Sequence, residues 1–159
     1  MNTCMKKIPI SLLAGTVMAS ILSPAPLFAL EAAVAIDMSQ LGARTDGSDT
    51  TPVVRAALEA VKEGRATKLV FPPGRYDFLP DRASEEYLFV SNNDEGLKRI
   101  AFPLRGLEDI EIDGGGSSFV FHGHTVPFLI EDSKRVTLKN FSGDFDRPFH
   151  SEGKVLATT

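Results

Sequence analysis

The feature that most constrains this chain is an offset of 26 residues between two runs of alternating apolar side chains. Ile110 and Ile112 recur as Val136 and Leu138, and Phe119 recurs as Phe145 at the same stride. Between them Gly106 to Asp146 holds the short alternations Phe119/Phe121 and Phe128/Ile130. Alternation with period two marks strands with one buried face. Asp113-Gly114-Gly115-Gly116 supplies a turn free to take positive φ, and Asp132-Ser133 a second bend. Three short strands between turns, then a return to the same phase, predict one coil of a parallel β-helix, in which apolar residues of successive turns stack. The competing expectation is a set of antiparallel hairpins in a sandwich, because only one full repeat is visible.

Charge and the opening residues narrow the class further. All 21 acidic residues follow position 30, whereas Lys6 and Lys7 precede it, so the remainder carries 15 basic against 21 acidic groups. An acidic surface argues against nucleic acid or an anionic membrane as the main partner. Residues 1–29 read as a secretory signal peptide. Lys6-Lys7 lead a mostly apolar run from Ile8 to Leu22, Ser23-Pro24-Ala25-Pro26 breaks it, and Leu27-Phe28-Ala29 ends on a small residue. Cleavage is expected after Ala29, or as late as Ala35, which implies a secreted or periplasmic protein. Pro9, Pro24 and Pro26 keep the run below the ~20 residues of a membrane-spanning helix. The single cysteine, Cys4, leaves with the signal, so burial alone must hold the mature fold together.

From Asp37 to Asp49 the chain is polar and turn-rich. Thr51 is the expected N-cap of a helix over residues 52–63, with Pro52 at its first position. Val54, Ala57, Leu58 and Val61 form one apolar stripe, and Gly64 ends it. An amphipathic helix before the first coil is the expected cover for the open end of a solenoid. Leu69-Val70-Phe71 predicts a buried strand, Pro72-Pro73-Gly74 a corner, and Arg75 to Phe78 a further strand. Leu79 to Gly96 is a polar excursion of the kind that forms lids or cleft walls. Ile100 to Leu104 opens the next strand.

Two stretches resemble a known family. LGARTDGSDTTPVVRAALEAV and KLVFPPGRY, within Leu41 to Tyr76, are similar to the entry of pectin-lyase-like right-handed β-helix proteins. IDGGGSSFVFHG followed by FLIEDSKRVTLKNFSGDFDRPFHSEGKV, within Ile112 to Val155, resembles the bacterial α-1,3-galactosidases, and Asp144 to Gly153 carries most of that similarity. The resemblance implies an all-β, right-handed parallel β-helix of the pectin-lyase-like type with an N-terminal capping α-helix. It also implies an inverting, metal-free glycoside hydrolase that removes terminal α-1,3-linked galactose from glycans. Members of that family are several times longer. Residues 36–159 are therefore expected to be the N-terminal part of an incomplete solenoid, interrupted where a strand over Lys154 to Ala157 continues. The catalytic carboxylates are expected beyond Thr159, and no catalytic residue is assigned within the chain.

Five residues are candidates for binding substrate: Asp144, Asp146, Arg147, His150 and Glu152. On one strand face Asp144 and Asp146 would lie roughly 6.6 Å apart, within the ~6.5–9.5 Å separation of inverting glycosidases. A solvated pair, a sugar-binding pair and a catalytic pair all satisfy that spacing. Arg147 precedes Pro148, which holds its backbone extended, ready to bind sugar hydroxyls or to pair with Asp144 or Asp146. His150 and Glu152 share parity in the same loop. His122-Gly123-His124 reads as an ordinary turn, since a zinc site needs further ligands at suitable spacing. The triple glycine precedes a strand where a phosphate cradle requires a helix. No cofactor or metal is expected. The rival functions are a β-helix lyase or polygalacturonase acting on acidic polysaccharide and a non-enzymatic carbohydrate-binding β-helix.

Overall fold

A computed structural model describes residues 34–89, 95–147 and 156–157. The proposed signal peptide, with Cys4, lies outside the described residues, as do His150, Glu152 and the first half of the expected last strand. The described elements are β1 (Ala35–Asp37), α1 (Thr51–Lys62), β2 (Lys68–Val70), β3 (Arg75–Phe78), β4 (Ser84–Leu88), β5 (Gly96–Arg105), β6 (Glu111–Phe121), β7 (Thr125–Glu131) and β8 (Thr137–Phe145), with a 3₁₀ turn at Pro80–Arg82. The architecture is mostly β and mostly parallel. In one stack β1, β2, the first part of β6 and the first part of β8 pair in that order. In the next, β3, the second part of β6 and the second part of β8 pair. In the third, β5 pairs with β7.

The 26-residue stride is realised as register. Ile112 lies beside Leu138, Phe102 beside Phe128 and Leu104 beside Ile130, each in parallel. The repeat extends to backbone conformation. Gly106 and Asp132 both have positive φ (66° and 49°), as do Asp109 and Arg135 (56° and 54°). A left-handed residue at the same two places in successive turns lets both chains change direction identically. Above each other in those turns sit opposite charges: Glu108 pairs with Lys134 at 3.0 Å, and Arg135 grips Asp109 through two nitrogens.

The stride changes at one place. Phe119 aligns with Gly143 and Phe121 with Phe145, so the expected pairing of Phe119 with Phe145 is corrected by two residues. Between Asp113 and Ser117 three glycines turn the corner, whereas one residue, Asn140, does so between Lys139 and Phe141. The glycine run therefore lies inside a continuous β6 as a bulged corner and does not separate two strands. At Gly115 a Cβ would lie 2.3 Å from the Phe71 carbonyl oxygen, and at Gly114 one would lie 2.5 Å from the Phe141 Cβ. At these two positions the corner is pressed between the levels on either side, and only glycine fits.

Two other expectations are corrected. The helix begins at Thr51, and its N-cap is Thr50. The Asp49 carboxylate accepts from the Thr51 and Leu79 backbone N–H groups at 2.9 and 3.1 Å, so a neighbouring acid fulfils the capping role. The polar excursion contains β4, antiparallel to β5, with Glu85 facing Arg99 and Glu86 facing Lys98. Opposite charges directly across a strand pair favour the hairpin that composition alone suggested was loop.

The core is aromatic. Phe71, Phe119 and Phe141 follow one another with ring centroids 4.9 and 4.7 Å apart, and Phe78, Phe121 and Phe145 at 5.1 and 5.8 Å. Phe102 stacks on Phe128 at 4.8 Å. Val54, Ala57 and Leu58 bring the apolar stripe of α1 into this core, where the helix packs against β5. Among the described residues no helix is long and apolar enough to cross a membrane.

Candidate functional site

At the downstream ends of β3, β6 and β8 the register assembles a charged cluster. Phe78, Phe121 and Phe145 occupy one level-to-level column, so the residues that follow, Leu79, His122 and Asp146, form the next. The His122 backbone N–H donates to Phe78 O at 3.0 Å, and the Asp146 N–H to Phe121 O at 3.0 Å. One backbone pattern, repeated, carries three different side chains to the same edge.

Asp77 is the anchor of the cluster. It is 2 % exposed, although its strand neighbours place it on the outward parity of β3. Arg75 approaches through Nε, 3.0 Å from Oδ2, and through Nη2, 2.7 Å from Oδ1. His122 Nε2 lies 2.7 Å from the same Oδ1. An ionised carboxylate accepts only, so Nε2 carries the hydrogen of that bond. The Arg75 guanidinium, with His122 behind it, holds the Asp77 carboxyl below the usual carboxylate range against the opposing effect of burial. A buried charge persists where such partners satisfy it.

His122 reaches in the other direction too: its Nδ1 lies 3.6 Å from Asp146 Oδ2. The turn that carries it is pinned by Thr125 Oγ1, which donates to His122 O at 2.7 Å. Arg75, Asp77, His122 and Asp146 thus connect three successive levels.

Of the five candidates drawn from the sequence, the structure describes three. Asp144, Asp146 and Arg147 are all exposed, and Phe145 between them is half-buried. Asp144 lies in β8, where its Oδ1 accepts from the Phe145 backbone N–H at 2.8 Å. Asp146 lies one residue past the strand and joins His122, which no sequence argument singled out for this role. His122 was legible only as part of a polar turn. Its signal was positional: it follows Phe121 as Asp146 follows Phe145.

A second group of charges lies at the corner. The Glu111 Oε1 sits between Lys68 Nζ at 2.7 Å and Lys139 Nζ at 2.9 Å, on the strands to either side. Asp113 accepts from Asn140 Nδ2 at 3.0 Å and from the Gly115 N–H at 3.1 Å. These contacts join levels. A cleft of about 420 Å³ opens beside the entry turn, lined by Arg44, Asp46, Pro72, Pro73 and Tyr76 among others, and none of the three described candidates lines it. Among the described residues no group of three His, Cys, Asp or Glu side chains converges as a metal centre would require.

The structure therefore defines a class, a layered parallel-β protein with a polar edge, and comparison with known proteins narrows it. No family model matches the chain. The α-1,3-galactosidase A of Shewanella woodyi is 46% identical over 123 residues, covering 77% of this chain and 20% of that protein. The α-1,3-galactosidases B of Parabacteroides distasonis and Bacteroides thetaiotaomicron are each 36% identical over 126 residues, covering 76% and 78% of the chain. The resemblance to the α-1,3-galactosidases is borne out over that span. The chain covers about a fifth of the length of the curated relatives it matches.

Proposed function

We propose that this sequence forms the opening levels of a right-handed parallel β-helix in an exported glycoside hydrolase that removes terminal α-1,3-linked galactose. Residues 1–29 serve as the export signal in this reading, and α1 covers the first level. The observation that carries it is the coincidence of two independent facts. The parallel register follows a 26-residue stride, and the same stretch is 34–46% identical to proteins named α-1,3-galactosidases. Flat, stacked strands give a rigid wall on which sugar hydroxyls can be met by fixed side chains. Asp144, Asp146 and Arg147, exposed at its edge, offer acceptors and a planar donor suited to hydroxyl pairs. The reaction needs a carboxylic acid and a carboxylate flanking the glycosidic bond, with a water between sugar and base for inversion. The exposed Asp144 and Asp146 are assigned to binding, and the proton-transferring pair to further levels of a longer chain.

The test is hydrolysis by the longest chain that carries this sequence. It should release galactose from an α-1,3-galactosyl disaccharide, with inversion, and should leave polygalacturonate intact. Turnover of polygalacturonate without galactose release would replace the reading with an acidic-polysaccharide enzyme. The 159-residue chain itself is expected to show no turnover.

A further inference from the structure

The charge cluster holds an imidazole between two carboxylates on different levels, and that arrangement has a direction. Asp77 is buried, fixed by Arg75 and bonded to His122 Nε2 at 2.7 Å. Asp146 is half exposed, on a residue just past the last paired strand, and faces Nδ1 at 3.6 Å. One side of the ring is therefore anchored in a buried carboxylate and the other meets an exposed one. With Nε2 bearing hydrogen toward Asp77, a neutral ring turns the Nδ1 lone pair toward the Asp146 carboxylate, and two lone pairs repel. With Nδ1 protonated, the same contact becomes a charge-assisted hydrogen bond, which favours a separation nearer 2.8 Å.

We propose that His122 is a positioning residue for Asp146, so that protonation of its Nδ1 draws the Asp146 carboxylate against the imidazole and deprotonation releases it. The significance of the Asp144–Arg147 run as a glycan-facing one rests on the function proposed above. The contact itself does not. Among the described residues the imidazole meets Asp77 from β3, which Arg75 holds, and Asp146 from the end of β8; Asp144 and Arg147 lie on the same run and His124 on its own turn. Arg75 also attracts Asp146 electrostatically, so the carboxylate retains a cationic neighbour when the ring is neutral. The Asp49 carboxylate is engaged by the Thr51 and Leu79 N–H groups and does not compete. Histidine is the side chain whose ordinary ionisation falls within about pH 5–8.

Nitrogen-15 spectra of the full chain, followed across that range, test the proposal. The amides of Asp146 and Arg147 should shift with the same midpoint as the His122 ring nitrogens. Replacing Asp146→Asn removes one flanking charge at an exposed position, and the His122 midpoint should then fall by about half a unit or more. His122→Gln, which retains a donor for Asp77, should abolish the pH dependence of the Arg147 amide. An unchanged His122 midpoint in Asp146→Asn, or an Arg147 amide that still titrates in His122→Gln, would overturn it. None of these readings uses substrate. A negative hydrolysis assay therefore leaves the positioning role standing, and failure here leaves the glycosidase reading standing.

Discussion

Gly115 shows how much a single position depends on the levels around it. Its φ is +58°, and a Cβ there would strike the Phe71 carbonyl oxygen at 2.3 Å. Gly116, next to it at φ +83°, faces open space. Gly115→Ala combines left-handed strain of about 1–2 kcal/mol with overpacking of about 1–3 kcal/mol, so a loss of about 3 kcal/mol is expected. Gly116→Ala carries only the strain, about 1 kcal/mol. Denaturant titration of the two variants should separate them at least twofold, and equal losses would show that the corner is not compressed. The sequence announced a flexible glycine run here. It could not show which glycine is forced, because that depends on Phe71, 44 positions earlier. His122 is the same lesson in polar form. Its two partners, Asp77 and Asp146, are 45 and 24 residues away, and only the register brings them to one edge.

Elements were legible where apolar alternation was strong and obscure where charges carried the pairing. The strands β2, β3, β6, β7 and β8 follow from Leu69, Tyr76, Ile112, Phe119, Phe128 and Leu138, because one buried face at period two leaves few other solutions. β4 was missed because Ser84 to Leu88 has no buried face; Glu85 and Glu86 pair with Arg99 and Arg105 of β5. The corner in β6 was placed correctly but read as a break, since glycine permits both. Turns between elements are tied by carboxylates that pair with the next level: Glu108 with Lys134, Asp109 with Arg135, Glu111 with Lys68 and Lys139. Each of these carboxyls is held below its ordinary value, chiefly by the side-chain hydrogen bond from its partner. The unfolded chain then binds protons at higher pH than the folded one, so stability rises with pH across the acid range. The stabilisation is fully present above the unfolded values of about 4 and is lost as pH falls through the folded ones. Thermal unfolding should accordingly show a midpoint that declines as pH falls below about 4. A midpoint that rises as pH falls below about 4 would contradict the inter-level pairing.

At the scale of the whole molecule, successive parallel levels lay like apolar residues over like. That arrangement explains why an aromatic column runs through Phe71, Phe119 and Phe141, why two turns share left-handed residues at equal positions, and why a polar edge collects His122 and Asp146. An antiparallel sandwich would explain none of the three. The direct measurement is the pattern of nuclear Overhauser effects between residues 111–113 and 137–139 in the full chain. Contacts should advance together along both segments, with Ile112 meeting Leu138 and Asp113 meeting Lys139. Contacts that advance along one segment while receding along the other would contradict the parallel register.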